Sequence, residues 1–309
     1  MRIGIDLGGT KTEGILIHSN GETITRFSRS TPVNNYSAII RNIVSIVDEL
    51  QQICAVDPQP TIGIGIPGSV SLTTGLVKNA NTTCLIGKPF NRDLEQALNQ
   101  PIRMANDANC FTLSEAVDGA ASECKTVFGV ILGTGVGGGI CIDKKPLNGC
   151  NSISGEWGHN PLPWAKIDQV ESEHPGPKCY CGKNGCIETF LSGPGMSYDH
   201  SIHYGEKLSP EQIISKSREG DINAGTTLRR YISRLARAIS SVINIIDPDV
   251  VVLGGGLSNI NELYHDVPEI WGKWVFSDDV KTRLVKNRHG ASSGVRGAAW
   301  QWDSNKFRI

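Results

Sequence analysis

RIGIDLGGTKTEGILI, residues 2–17, reads as strand, glycine turn, strand, and TVFGVILGTGVGGGICID, residues 126–143, reads the same way. In each, a short β-branched run stops at glycines and resumes as a second apolar run. A turn at SNGE and the run TITRFSR extend the first unit into an antiparallel meander. One such unit in each half of the chain predicts an internally duplicated α/β fold with a cleft between the halves. Between and after the units, Ile39, Ile40, Ile43, Val44, Ile46, Val47 and Leu50 recur at helical spacing over residues 36–54. TIGIGIP (61–67) is a strand, and a helix near 91–99, the strand PIRMA and a helix over 108–117 complete an α/β unit. Helices are expected over 209–219 and 222–246, the second ended by Pro248. DVVVLGGGLSN is a buried strand, a glycine turn and a helix, and SSGVRGAAWQW is a last helix. The expected domains are 1–119, completed by a C-terminal helix over 292–309, and a larger 120–291.

Composition narrows the function classes. At 309 residues the chain has room for two cores, and a formal net charge of −1 points to neither nucleic acid nor an anionic membrane as a partner. Nine cysteines, an odd number, scattered through apolar or mixed segments, suit a reducing cytosol better than a disulfide framework. Asp6 interrupts the first apolar run, which excludes a signal peptide there, and the longest uncharged stretch, 126–142, is glycine-rich and a poor membrane span. A soluble, cytoplasmic protein is expected.

Three glycine turns follow apolar strands: Gly8–Gly9–Thr10–Lys11, Gly133–Thr134–Gly135 and Gly254–Gly255–Gly256. Each offers backbone N–H groups to an anion, or serves turn geometry alone. Gly133, Gly135 and Gly138 match G-x-G-x-x-G, but a strand, ICID, follows where a dinucleotide fold needs a helix. No Walker loop is present. What fits is a phosphate cradle of two facing β-turn-β hairpins, with Thr10, Lys11 and Thr134 as donors and the Gly254–Gly256 turn for the nucleoside. Asp6 either orients a hydrated Mg²⁺ or caps its turn. Asp107, after PIRMA and before a helix, is either an N-cap or a catalytic base.

SGEWGH (154–159) and CYCGKNGCIETF (179–190) bring His159, Cys179, Cys181 and Cys186, ligand types for a closed tetrahedral zinc site, next to Glu156 and Glu188. Reduced thiols beside a surface histidine are the alternative. A structural zinc here pins two loops and aims both carboxylates at a small polar ligand. Its loss is expected to weaken binding of that ligand more than binding at the distant glycine turns.

DLGGTK (6–11), GIPG (65–68), NDAN (106–109), GTGVGGG (133–139), GEWGH (155–159), CYCGKNGCIE (179–188) and LGGGLSN (253–259) occur in the order of the ROK family of repressors, open reading frames and sugar kinases, which the whole chain resembles. The resemblance implies an actin-like, ribonuclease-H-like ATPase fold of two domains with an interdomain active-site cleft, ATP-dependent hexose phosphorylation with Mg²⁺, a structural Zn²⁺ and a homodimer. KNANTT, GEWGHNPLPW and CYCGKNGCIETF look most like bacterial fructokinases of the manno(fructo)kinase type, which implies fructose, with mannose or glucose as further substrates. N-acetylglucosamine kinases are the rival within the family. By this resemblance Asp107 is the general base, and Asn106, Glu156, His159 and Glu188 bind sugar hydroxyls, with Gly68, Ser69 and Asn81 alongside. Asp6, Gly8, Gly9, Thr10, Lys11, Gly133, Thr134, Gly135, Gly137 and Gly254, Gly255 and Gly256 match nucleotide-contacting segments. Their neighbours Gly4, Ile5, Leu7, Val136, Gly138, Gly139 and Ile140 are taken with them. A sugar-sensing regulator is the reading from another class, but the family's repressors place a helix-turn-helix ahead of the kinase-like body, and here the first strand begins at residue 2. A zinc-dependent interaction module has no use for three glycine turns and Asp107. A zinc hydrolase needs an open coordination position, which four protein ligands deny.

Overall fold

The structure, a computed structural model, describes residues 1–54, 59–80, 82–167 and 173–302. They form two compact units: the described residues of 1–123, 139–154 and 288–309 in the first, and of 124–138 and 155–287 in the second. The sequence division left 139–154 with the second unit. Its first residue explains the difference, because a Cβ on Gly139 would lie 2.7 Å from Ala108 O and 2.5 Å from Thr112 Oγ1, so this backbone rests directly on the helix that follows Asn106.

The first unit opens with β1 (Arg2–Leu7), β2 (Lys11–Ile17), β3 (Thr23–Ser30) and α1 (Tyr36–Cys54). It continues with β4 (Thr61–Ile66), a short hairpin of β5 (Ser69–Val70) and β6 (Val77–Lys78), α2 (Phe90–Leu98), β7 (Ile102–Asn106) and α3 (Asp107–Val117). Its sheet runs β3-β2-β1-β4-β7, with β1, β2 and β3 antiparallel and β1, β4 and β7 parallel. The predicted meander and helix 36–54 are therefore present. α1 turns Ile39, Ile43, Ile46, Val47 and Leu50 onto one face of the sheet, against Ile3, Ile5 and Leu7.

The next elements are β8 (Thr126–Leu132), β9 (Val136–Ile142), β10 (Lys145–Pro146), α4 (Ile187–Leu191), α5 (Gly193–Tyr204), α6 (Pro210–Arg218) and α7 (Ile222–Ile246). They are followed by β11 (Val250–Gly254), α8 (Leu263–Trp271), β12 (Arg283–Lys286) and α9 (Ser293–Ala299). The second sheet has the order β10-β9-β8-β11-β12, the plan of the first repeated, which bears out the duplication read from the glycine turns. Helix boundaries follow local chemistry. Ser209 and Gln212 form a capping box at α6, the Asp221 side chain caps α7, and Asp247 ends it in the left-handed region one residue before Pro248. Residues 303–309 of the helix expected over 292–309 lie outside the described residues, and α9, the last helix among the described residues, packs on the opposite face of the first sheet. Its backbone lies so close that a Cβ on Gly4 would sit 2.1 Å from Val295 O, and one on Gly63 1.8 Å from Ala298 O.

α7 carries an unexpected stripe. Arg230, Arg234 and Arg237, spaced along one face, are all buried. Glu173 accepts hydrogen bonds from Arg234 Nε, from both terminal nitrogens of Arg237 and from Lys166 N, each at 2.8 Å. Asp199 of α5 accepts from Arg230 Nε at 2.9 Å and Arg234 Nη1 at 2.8 Å. Buried charges persist only when paired in this way. Burial alone raises the Glu173 carboxyl, but the bonds from Arg237, Lys166 and Arg234 outweigh it and hold it down at about 2.

Candidate active site

In the first unit, Asp6 and Asp107 stand at the ends of the parallel strands β1 and β7. The Asp6 carboxyl is pushed up to about 7, first by burial and then by the charges of Asp107 and Glu13, with Lys11 pulling the other way. Two hard carboxylate donors in mutual repulsion are the chemistry that a cation relieves, so the residues fit a hydrated Mg²⁺. Lys11 lies 2.5 Å from Glu13, and Gly8 N closes the turn on Lys11 O at 2.9 Å. Gly8, Gly9 and Thr10 form this turn, with Gly9 and Thr10 exposed. Ile5 and Leu7 face the core, and Gly4 is covered by α9, so these three support the turn from within.

Asn106, not Asp107, is the N-cap of α3: its Oδ1 accepts from Ala108 N at 2.9 Å. Its amide also donates to Gly68 O at 3.1 Å. Gly68 is at φ 85°, where a Cβ would meet Lys78 O at 2.5 Å, so this turn into Ser69 requires glycine. Asp107 is the first residue of the helix, and its Oδ1 lies 2.8 Å from Ala108 N. Asn81 lies outside the described residues.

In the second unit the four expected metal ligands converge. The ligand atoms of His159, Cys179, Cys181 and Cys186 all lie within 4.8 Å of one another. Cys181 Sγ is 3.6 Å from Cys186 Sγ, and Cys179 Sγ is 3.6 Å from His159 Nδ1. A tetrahedron of Zn–S bonds of about 2.3 Å has ligand-to-ligand edges of about 3.8 Å, so the spacing fits zinc. His159 Nε2 lies 3.0 Å from the Tyr180 hydroxyl, the kind of outer partner that fixes a ligating imidazole's tautomer. Glu156 is exposed at the start of the short 3-10 turn that carries His159.

The turn at 133–138 is not distant from this segment, as the sequence reading had it, but built on it. Val136 N donates to Glu188 Oε2 at 3.0 Å, Trp157 Nε1 to Gly137 O at 3.1 Å and Gly193 N to Gly133 O at 2.8 Å. Trp157, which sequence reasoning passed over, is buried, packs edge-on against Phe128 and lies under Gly138. Thr134 is exposed and lines a cavity of about 430 Å³ with Tyr180, Glu188, Thr189, Ser192 and Tyr198. Val136 is buried and Ile140 half-buried along β9, while Gly138 and Gly139 are packed over. At the end of β11, Gly255 bends at φ 80° and Gly256 has open space beside it. With Leu257, Asn259 and Ile260 it faces Ile214, Ser215 and Arg218 of α6 across a cleft of about 360 Å³.

Sheets duplicated in this order, each opening on a strand, a glycine turn and a strand, define the actin-like ATPase fold. The family model described as "ROK family" matches residues 2–305, and the chain belongs to that family. It is 38% identical to an N-acetyl-D-glucosamine kinase of Pectobacterium atrosepticum over 97% of this chain and 98% of that one. Among solved structures it is similar to a ROK hexokinase from Thermus thermophilus, at 26% identity and TM-score 0.84, with 97% of each chain covered. A ROK family glucokinase from Streptomyces griseus in complex with glucose and AMPPNP shares the fold at 24% identity and TM-score 0.75, covering 96% of this chain and 97% of that one. The expected likeness to fructokinases is not what these comparisons favour. Among the described residues, no helix is long and apolar enough to cross a membrane.

Proposed function

We propose that this protein catalyses the ATP-dependent phosphorylation of a free hexose, with Asp107 as general base. The observation that carries this reading is the pair of carboxylates at the strand ends, where the charge of Asp107 raises the Asp6 carboxyl. Asn106 is the N-cap of α3, and Asp107 Oδ1 accepts from the same Ala108 N at 2.8 Å, which holds its carboxylate at the head of the helix. Phosphoryl transfer to an alcohol needs a carboxylate to accept the hydroxyl proton while the phosphate charge is neutralised. Asn106, whose amide has a second N–H to give, Glu156, His159 and Glu188 bind the sugar hydroxyls, and Gly68, Ser69 and Asn81 are further sugar-binding residues. The turns at Gly8–Lys11 and Gly133–Gly137 hold the phosphates, and the cleft at Gly256 takes the nucleoside end. Mg²⁺, when bound near Asp6, supplies charge neutralisation on the phosphates. A Zn²⁺ held by His159, Cys179, Cys181 and Cys186 is structural, since four protein ligands leave no position for a reacting water. The active form is a homodimer.

N-acetyl-D-glucosamine is the substrate that the relatives favour, at 38% identity over nearly the whole chain. Fructose is the second reading, carried by GEWGHNPLPW and CYCGKNGCIETF. ADP release with Mg-ATP and fructose, mannose, glucose, N-acetylglucosamine or N-acetylmannosamine separates them. The highest kcat/KM is expected with N-acetylglucosamine. A preference for fructose moves the assignment to the second reading, and no sugar-dependent release with any of the five defeats the kinase.

A further inference from the structure

We infer that Glu188 is a positioning residue for the phosphate turn Gly133–Gly138 and ties nucleotide affinity to the cysteine–histidine segment. This rests on the kinase reading, which takes that turn as nucleotide-binding. Glu188 lies in the first turn of α4, two residues after Cys186, and Ile187 N is bonded to Asn160 O at 2.9 Å, next to His159. The segment that gathers the thiols therefore also fixes where Glu188 begins. From there its Oε2 accepts from Val136 N at 3.0 Å, and a Cβ on Gly135 would lie 2.6 Å from the same oxygen, so the carboxylate lies directly against the turn's backbone. On the same turn, a Cβ on Gly158 would lie 2.2 Å from Val136 O.

The charge of Glu188 sharpens the point. A carboxylate beneath a turn that binds phosphate repels the ligand, so its presence there demands a compensating task. Fixing the Val136 peptide is that task, because it orients the neighbouring N–H groups of the turn before the nucleotide arrives. A side chain that serves only the sugar has no reason to touch the turn.

Two conservative variants separate reach from charge. Glu188→Asp keeps the charge but is one methylene short of Val136 N. Glu188→Gln keeps an acceptor at that distance and loses the charge. Binding of Mg-AMPPNP without sugar is read by calorimetry, with zinc content and a thermal melt as checks on folding. Glu188→Asp is expected to weaken nucleotide binding by about tenfold, the size of one hydrogen bond to a charged group. Glu188→Gln is expected to bind nucleotide within about threefold of wild type, while its sugar KM rises. A Glu188→Asp affinity equal to wild type, or a Gln variant weaker than the Asp variant, overturns the inference and leaves the kinase reading intact. Failure of the wild-type protein to bind Mg-AMPPNP defeats both.

Discussion

Replacing Glu173 with glutamine tests the buried charge network that anchors the cysteine-bearing segment to α7. The substitution preserves volume, so packing is unchanged, and it removes one charge from a side chain only 3% exposed. It also turns an amide N–H toward guanidinium donors. Breaking a buried ion pair costs about 3–5 kcal/mol. The lower end applies here, because Arg234 keeps Asp199 at 2.8 Å and Arg237 keeps Trp164 O at 2.8 Å. A loss of about 3 kcal/mol corresponds to a fall in Tm of roughly 6–12 °C for a unit of this size. The pH dependence checks the cause. The Glu173 carboxyl is held at about 2 in the folded protein, below the ordinary glutamate value of about 4.3. Its contribution is therefore complete above the unfolded value and is lost as pH falls through the folded one. Roughly 2 kcal/mol of it is gone by pH 3. Thermal melts of wild type and Glu173→Gln at pH 7 and pH 3 should show a wide gap that closes by more than half, since the other groups that titrate in this range are common to both proteins. A gap under about 2 °C at pH 7, or one that does not narrow in acid, refutes the reasoning.

Two further substitutions probe the chemistry. Asp107→Asn should lower kcat by about 10²–10⁴-fold with sugar and nucleotide binding retained; because Asn106 caps α3, Tm should hardly move, and an unfolded variant with normal activity per folded molecule would falsify the assignment. Cys181→Ser should lose its zinc by elemental analysis and raise the KM of both sugar and ATP, since the 133–138 turn is bonded to the same segment through Glu188, Trp157 and Gly193. An unchanged ATP KM in the zinc-free variant would separate the turn from the segment.

Much of this was legible in the residues. Strand–turn–strand units, the helical period of 36–54 and 222–246 and the capping residues are local signals, written within a few positions of where they act. The glycine turns and the His159, Cys179, Cys181 and Cys186 set could be named for the same reason. Only the tertiary structure decided which partners those elements meet. Arg230, Arg234 and Arg237 gave no sequence signal of burial, yet they are buried because Glu173, 64 residues from Arg237, and Asp199 lie against them. Asn106 and Asp107 are indistinguishable as caps by sequence, and the backbone at the end of β7 assigns that work to Asn106. Glu188 reads as one more sugar ligand until its carboxylate is found against Val136 N, 52 residues away. Periodicity records which side of an element is apolar, whereas ion pairing and hydrogen bonding depend on distances of a few ångströms between segments far apart in the chain.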